Sequence, residues 1–324
     1  MKKTIWILLD NRIGSRHQAE GIAHYLDKTQ FNIVEKELNY TALAGLPNFI
    51  RGKTLLGLDT SSKQKITAPY PDIVLSSTRR TAPVARYIKK QNPNTKLTQL
   101  IHIGKTGIKE FEKVFVPEHD NYKYFSPNIV YTTGAPHFIT KEKLLKAKKI
   151  WEPHFAHLPH PITALIIGGS IKKHPFLLEN AIQLAQNVKK LKSAEGGSLL
   201  ITTSRRTGLK AQEEIIKHLS TIPSYNYLWG ATGENPYLGF LSCADNLIVT
   251  GDSVSMCCEA TATQKPLKIF TGNNWLTKKH IRFVQSLYAK GYAEELTENS
   301  STSTSPTTTP LNTAKQIAKE ISLL

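Results

Sequence analysis

The sequence predicts an α/β protein made of two doubly wound halves, and three observations carry that reading. Strand-length apolar runs, among them Ile5–Leu9, Asp72–Ser76, Ile162–Ile167 and Asn246–Thr250, alternate with helix-like segments along the chain. Runs that are apolar throughout, rather than at every second residue, belong to strands covered on both faces, as in a parallel sheet. The alternation pauses once, at 140–161, where a Lys-rich helix gives way to a Pro- and His-rich stretch; it then restarts with a fresh buried strand. Such a break reads as a connection between domains. Finally, 324 residues with 40% hydrophobic content suffice for more than one core.

The first half opens on strand Ile5–Leu9. The preceding Met1-Lys2-Lys3 imitates the start of a secretory leader, but the apolar run is short and Asp10 and Arg12 end it. Helix Gly14–Leu26 and strand Phe31–Leu38 follow. Residues 40–68 show no clear period. Strand Asp72–Ser76, helix Thr81–Lys90, strands Leu97–Ile103, Val114–Val116 and Asn128–Thr132, and helix Lys141–Trp151 complete this half. The second half runs strand Ile162–Ile167, helix Pro175–Leu191, strand Ser198–Thr202, helix Lys210–Leu219, strand Asn226–Trp229, helix Asn235–Cys243, strand Leu247–Thr250, helix Ser253–Thr263 and strand Leu267–Phe270. The expected domains are 1–150 and 151–295, then a low-complexity linker over 296–310 and a final amphipathic helix over 311–324. No stretch is long and apolar enough to cross a bilayer.

Charge narrows the partners. Lys and Arg number 42 against 25 Asp and Glu, a net charge of +17. A basic surface favours anions: nucleic acid, anionic lipid or a phosphorylated substrate. The basic residues are spread along the chain, without zinc-finger spacing or an aromatic RNA-binding motif, so nucleic acid is not an expected partner. Cys243, Cys257 and Cys258 are too few and too close to frame disulfides, and they lack metal-ligand spacing; they fit reduced thiols in a cytoplasmic protein.

Residues 249–260 say most about chemistry. Strand Asn246–Thr250 runs into Gly251-Asp252-Ser253, where Asp252 or Ser253 can cap a new helix. Free backbone N–H groups of this turn and the positive helix end suit a phosphate, and Glu259, about two turns on, suits a ribose diol. The same residues also make an ordinary strand–turn–helix with a solvated Glu. Further clusters lie at equivalent strand ends: Gly168-Gly169-Ser170, the hydroxyl- and guanidinium-rich Ser204-Arg205-Arg206, and Asn235-Pro236-Tyr237. Each has a plain alternative as a tight turn, a solvated loop or a helix cap. The first half offers Asp10 to Gln18, Ser76 to Pro83 and Pro117 to Asn121, so His17, Glu118, His119 and Asp120 are candidate general bases. The absence of Gly-x-x-x-x-Gly-Lys-Ser/Thr disfavours a P-loop ATPase. No Asp-x-Asp follows a strand and the Gly168-Gly169 pair does not extend to a dinucleotide pattern, so neither a metal nor a cofactor is called for.

Together these segments resemble the plant mitochondrial-fission (elongated mitochondria) family and its bacterial homologues. The matching residues are Asp10 with Gly14 and Gln18, Thr78-Arg79-Arg80-Thr81-Ala82-Pro83, Val116 to Asp120, Ile167-Gly168-Gly169, Thr202 to Thr207, Asn235-Pro236-Tyr237, Ala244-Asp245 and Val249 to Met256. They cover roughly residues 5–290, and Gly251 stands where Ala is expected. The wider resemblance is to GT-B glycosyltransferases, which implies two Rossmann-like domains facing across a cleft. It further implies a metal-independent transferase, its donor a nucleoside-diphosphate sugar and its pathway cell-envelope glycoconjugate synthesis. In that picture His17, Glu118 and Asp120 are the catalytic candidates, and Gly14, Gln18, Arg79 and Arg80 lie on the acceptor side. The nucleotide-sugar falls to Gly168, Gly169, Ser170, Ser204, Arg205, Arg206, Asn235, Tyr237, Asp252, Ser253, Ser255, Met256 and Glu259. The acceptor is expected to be anionic or membrane-linked. Contact with an anionic membrane face is expected from the basic segments at Lys89-Lys90, Lys141–Lys149 and Lys278-Lys279-His280. The rival reading is a scaffold that keeps the fold without the chemistry.

Overall fold

The computed structural model describes residues 2–301 and 310–324. The chain forms two compact units, Met1–Phe138 joined by Asn312–Leu324, and Ile139–Leu311. In chain order the first unit holds β1 (Lys3–Leu9), α1 (Ile13–Tyr25), β2 (Phe31–Glu37), α2 (Asn48–Arg51), α3 (Thr60–Gln64), β3 (Ile73–Ser76), α4 (Ala82–Gln91), β4 (Lys96–Leu100), β5 (Lys113–Pro117) and β6 (Ile129–Thr132). The second holds α5 (Lys141–Phe155), β7 (Ile162–Ile167), α6 (Leu178–Glu195), β8 (Ser198–Thr203), α7 (Leu209–Leu219), β9 (Ser224–Tyr227), α8 (Tyr237–Cys243), β10 (Asn246–Thr250), α9 (Val254–Thr261), β11 (Leu267–Phe270), α10 (Lys278–Ala289) and β12 (Glu294–Glu295). Helix α11 (Thr313–Ser322) returns to the first unit.

Each unit is built on one six-stranded sheet, ordered β2-β1-β3-β4-β5-β6 and β12-β11-β10-β7-β8-β9. Every pairing is parallel. Strand β1 shows why the apolar runs are continuous. Its Trp6 and Leu8 enter one core with Val74, Val84 and Leu97, while Ile5, Ile7 and Leu9 enter the other with Ile22, Phe115 and Ile317. Burying each such side chain is worth about 1.5–3 kcal/mol, which accounts for the unbroken apolar stretch Ile5–Leu9. In the second unit Leu165, Ile167, Leu199, Ile201 and Ile248 meet Leu184 and Val188 of α6 and Ile215 and Leu219 of α7.

Several elements differ from the sequence expectation. The break between units lies at 138/139, not at 150, because α5 packs on α8 of the second unit: Phe155 meets Phe240 edge-on at 5.6 Å, and Trp151 lies against Gly239. Helix α5 also runs past Trp151 through Pro153 to Phe155. The terminal helix belongs to the first unit. Asn312 caps it, accepting from the Lys315 N–H at 2.9 Å, and donates to Tyr25 Oη of α1 at 2.7 Å. Residues 40–68 contain only short helices, and α10 and the edge strand β12 are additional. Residues 302–309 of the expected linker lie outside the described residues. Among the described residues no helix is long and apolar enough to cross a membrane.

The α5–α8 contact gives a test. Ala in a helix interior is normally about 1 kcal/mol better than Gly, but a Cβ at Gly239 would enter the Trp151 ring. Overpacking of that kind costs about 1–3 kcal/mol. Gly239→Ala should therefore lower stability in urea denaturation; a gain would show that the two helices do not meet this closely.

Candidate nucleotide site

The loops after β7, β8, β10 and β11 leave the same end of the second sheet. Those after β7, β8 and β10 are tied together by one buried carboxylate. Asp252, 4% exposed, accepts from the Gly169 N–H at 2.9 Å and from Thr250 Oγ1 at 2.8 Å, and pairs with Arg206 Nη1 at 2.7 Å. Thr250 Oγ1 in turn accepts from the Gly168 N–H at 2.7 Å. Ser204 Oγ donates to the Gly168 carbonyl at 2.7 Å, as does the Thr207 hydroxyl, and Ser170 N–H donates to the Arg206 carbonyl at 2.9 Å. Two glycines are required here: a Cβ at Gly168 would strike the Asp252 carboxylate, and Gly169 (φ +151°) lies against the Arg206 carbonyl. Burial pushes the Asp252 carboxyl up, opposed by Arg206 and the hydrogen bonds.

This geometry changes the expected roles. The backbone N–H groups of Gly168, Gly169 and Ser170 are consumed by Thr250, Asp252 and Arg206. Asp252 faces inward rather than capping α9; the cap is Ser253, whose Oγ accepts from the Met256 N–H at 3.4 Å. What remains for an anion is the α9 end itself, where no described residue accepts from the Val254 and Ser255 N–H groups. The two arginines of the β8 loop differ. Arg206 is held by Asp252 and by the Ser170 carbonyl at 3.2 Å, whereas Arg205 is exposed and its guanidinium has no partner among the described residues. His280, at the start of α10, lies in the same positive field. Burial, and then Lys279, Arg206 and His174, push its pKa down, and Thr277 Oγ1 meets its Nδ1 at 2.7 Å.

Glu259 lies deeper, 7% exposed, and accepts from Tyr237 Oη at 2.5 Å. Burial raises its carboxyl to about 7, opposed by that hydrogen bond, and burial raises the Tyr237 phenol well above its usual range. Asn235 precedes Pro236, the N-cap of α8, and its Oδ1 accepts from the Tyr237 N–H at 3.0 Å. Gly251 is a close fit: a Cβ there would sit 3.1 Å from Leu276, 3.2 Å from Val284 and 3.3 Å from Ile269. Leu276 and Val284 also line a cavity of about 350 Å³ against α10, with Thr271, Asn274 and Glu295. Thr207 and Thr250 lie in the strand-end stretches that the sequence singles out, whereas sequence reasoning missed His280 as a member of this end of the sheet.

The first-unit candidates lie at the corresponding end of the other sheet. Gly14 and Gln18 stand on α1 with His17, whose ring meets Phe138 at 4.1 Å. Glu118, His119 and Asp120 form a 3-10 turn after β5; Glu118 accepts from Thr133 Oγ1 at 3.3 Å, and buried His119 Nε2 lies 3.9 Å from Asp120 Oδ1. Arg79 and Arg80 occupy the turn after β3, where the Arg79 carbonyl accepts from Asn48 Nδ2 at 3.3 Å.

The raised Glu259 carboxyl makes stability depend on pH. In the unfolded chain the group titrates near 4.5, in the folded chain near 7. The folded state thus holds the proton longer: its advantage is complete below about 4.5 and disappears as pH rises through about 7, a swing of about 3 kcal/mol. Glu259→Gln should match the parent protein in denaturant at pH 4.5 and exceed it increasingly up to pH 8. A difference that does not vary with pH would mean that Glu259 is solvated and already ionised.

Comparison with known proteins agrees with this architecture. The family model described as mitochondrial fission ELM1 matches residues 13–323. Protein RP120 of Rickettsia prowazekii is 31% identical over 317 residues, 87% of each chain. Mitochondrial fission protein ELM1 of Arabidopsis thaliana is 30% identical over 263 residues, 74% of this chain but only 61% of the plant protein's length. Among solved structures, UDP-GlcNAc 2-epimerase of Neisseria meningitidis, bound to UDP-GlcNAc, is similar with a TM-score of 0.55 at 13% identity, covering 91% of this chain and 88% of that one. MurG of Acinetobacter baumannii gives a TM-score of 0.51 at 13% identity, covering 99% and 100%. These likenesses establish the fold, the two-sheet α/β architecture of GT-B glycosyltransferases and their epimerase relatives. The match across nearly the whole sequence establishes the family: this chain belongs to the mitochondrial fission ELM1 family.

Proposed function

We propose that the protein is a metal-independent glycosyltransferase that takes a nucleoside-diphosphate sugar as donor. The observation that carries the reading is the α9 N-terminus at the end of the second sheet, with its Val254 and Ser255 N–H groups next to Asp252 and the Arg206 that it holds; exposed Arg205 precedes Arg206 in the chain. Helix ends and guanidiniums stabilise a diphosphate both in the donor and as it departs. Glu259 suits the ribose, presented by Tyr237. The UDP-GlcNAc held by the Neisseria epimerase supports this ligand class. In the proposed reaction an acceptor hydroxyl gives its proton to a first-unit base, of which His17, Glu118 and Asp120 are the candidates. Its oxygen bonds to the anomeric carbon as the bond to the diphosphate breaks. A cell-envelope acceptor, anionic or membrane-linked, fits the charge of +17.

A second reading, a binding protein without chemistry, is favoured by the Gly168–Ser170 loop, whose backbone N–H groups are already engaged within the fold. Kinetics of single variants separate the two. A thermal-shift screen of nucleotides and nucleotide-sugars, UDP-GlcNAc included, should first raise the melting temperature by mass action. Glu259→Gln should then weaken nucleotide binding in calorimetry by about 1.5–3 kcal/mol, one charge-assisted hydrogen bond. Arg205→Lys keeps the charge but loses the planar fork, and should lower turnover more than ground-state binding. Binding without turnover in the parent protein would select the scaffold, and no binding at all would sink both.

A peripheral contact with anionic membranes is part of the proposal. Lys89, Lys146 and Lys148 are paired with Glu112, Glu142 and Glu152, which reduces the surplus on those segments. Each remaining Lys or Arg near the surface is worth about 1 kcal/mol. Co-sedimentation with liposomes should rise with anionic lipid content and fall with salt; equal recovery on neutral vesicles would point to a soluble acceptor.

A further inference from the structure

The first unit buries a guanidinium that nothing neutralises. Arg51, the last residue of α2, is 0% exposed. Its Nε donates to the Leu56 carbonyl at 3.0 Å, but Nη1 and Nη2 have no hydrogen-bond partner among the described residues. An unpaired buried charge costs several kcal/mol, so native structures rarely keep one without a counter-ion. The neighbouring cations show the contrast. Arg86 and Lys53 both pair with Glu110, at 2.8 and 2.9 Å.

Around Arg51 lie further cations and a buried hydroxyl; the acceptors on the same segment, the Leu56 carbonyl and the buried Asn48 Oδ1, are neutral. The Tyr40 hydroxyl is buried without a partner, and burial holds its pKa far up, so it remains a donor. Arg80 lies over the Tyr40 ring at 5.9 Å, and Asn48 of α2 holds the Arg79 carbonyl at 3.3 Å. Burial first, and then Arg79 and Arg80, depress the Arg51 pKa, while only Tyr40 opposes them. Asp10, whose charge reaches Tyr40, accepts from the Arg12 N–H through Oδ1 at 3.2 Å, while its buried Oδ2 has no hydrogen-bond partner among the described residues and only a 3.6 Å ion pair with Arg12 Nε.

We propose that Arg51, Arg79, Arg80 and Tyr40 form an anion site for a phosphoryl group, separate from the nucleotide site of the second unit. A guanidinium fork matches two phosphate oxygens, and a buried guanidinium whose two terminal nitrogens have no partner among the described residues favours an anion. The exposed Leu43, Phe49 and Ile50 stand on the same short segment as Arg51, so the phosphoryl group has two sources, free phosphate or a lipid headgroup.

Thermal unfolding with inorganic phosphate, at ionic strength fixed with chloride, tests the site. Phosphate should raise the melting temperature saturably. The double variant Arg79→Gln/Arg80→Gln should weaken the apparent phosphate affinity at least tenfold, and Arg51→Met should abolish the response. Arg205→Gln, at the second-unit nucleotide site, should leave a phosphate response in place. Should Arg51→Met fail to fold, the double variant decides alone. Dihexanoyl phosphatidic acid identifies the source: binding at least tenfold tighter than phosphate assigns the headgroup, equal binding assigns free phosphate. No rise above chloride would overturn the proposal. So would a response that survives the Arg79/Arg80 exchange and is lost in Arg205→Gln, a result that leaves the donor reading standing.

Discussion

The second unit depends on the buried Asp252 carboxylate. Loops after three strands would otherwise leave the sheet independently. Asp252 binds the β7 loop through Gly169, the β8 loop through Arg206 and its own strand end through Thr250. Its desolvation is offset only while all those donors are present, since a buried carboxylate without them costs several kcal/mol. The consequence is rigidity: the strand-end loops and the start of α9 are fixed relative to one another before any ligand arrives. A site held in this way loses little conformational entropy on binding.

That economy has a cost in the glycine loop. The residues that most resemble a phosphate-binding turn, Gly168 to Ser170, direct their N–H groups into the fold. Their small size serves close approach to Asp252 and to the Arg206 carbonyl instead. At the same strand ends, the Val254 and Ser255 N–H groups of α9 have no acceptor among the described residues, Arg205 is exposed, and burial, then Lys279, Arg206 and His174, keep His280 below its usual pKa.

The fold was legible where local pattern and tertiary role coincide. Strands buried on both faces, such as β1 over Ile5–Leu9 and β7 apart from Thr163, are almost wholly apolar, so they read as parallel strands directly. Helix α5 did not reveal its allegiance, because Ala147, Trp151 and Phe155 choose a partner, α8, that lies far along the chain. Helices α2 and α3 span four and five residues, too short to show a period. Helix α10 starts without a side-chain cap, and its buried Phe283, Val284 and Leu287 sit among Lys, His and Arg. At the site, Asp252 before a helix reads as a cap, and only the fold shows it turned inward with Ser253 capping in its place. Arg51 gave no warning, since burial of a charge is invisible in a segment without periodicity.

The central claim is that a nucleoside diphosphate sits on the N-terminus of α9. Hydrogen exchange resolved to single residues tests it most directly. With UDP at saturation, the Val254 and Ser255 N–H groups should exchange at least tenfold more slowly, together with the adjoining 204–206 loop, while the first sheet is unchanged. Unaltered exchange at 253–256, or protection confined to the first unit, would contradict the assignment of the donor to this end of the second sheet.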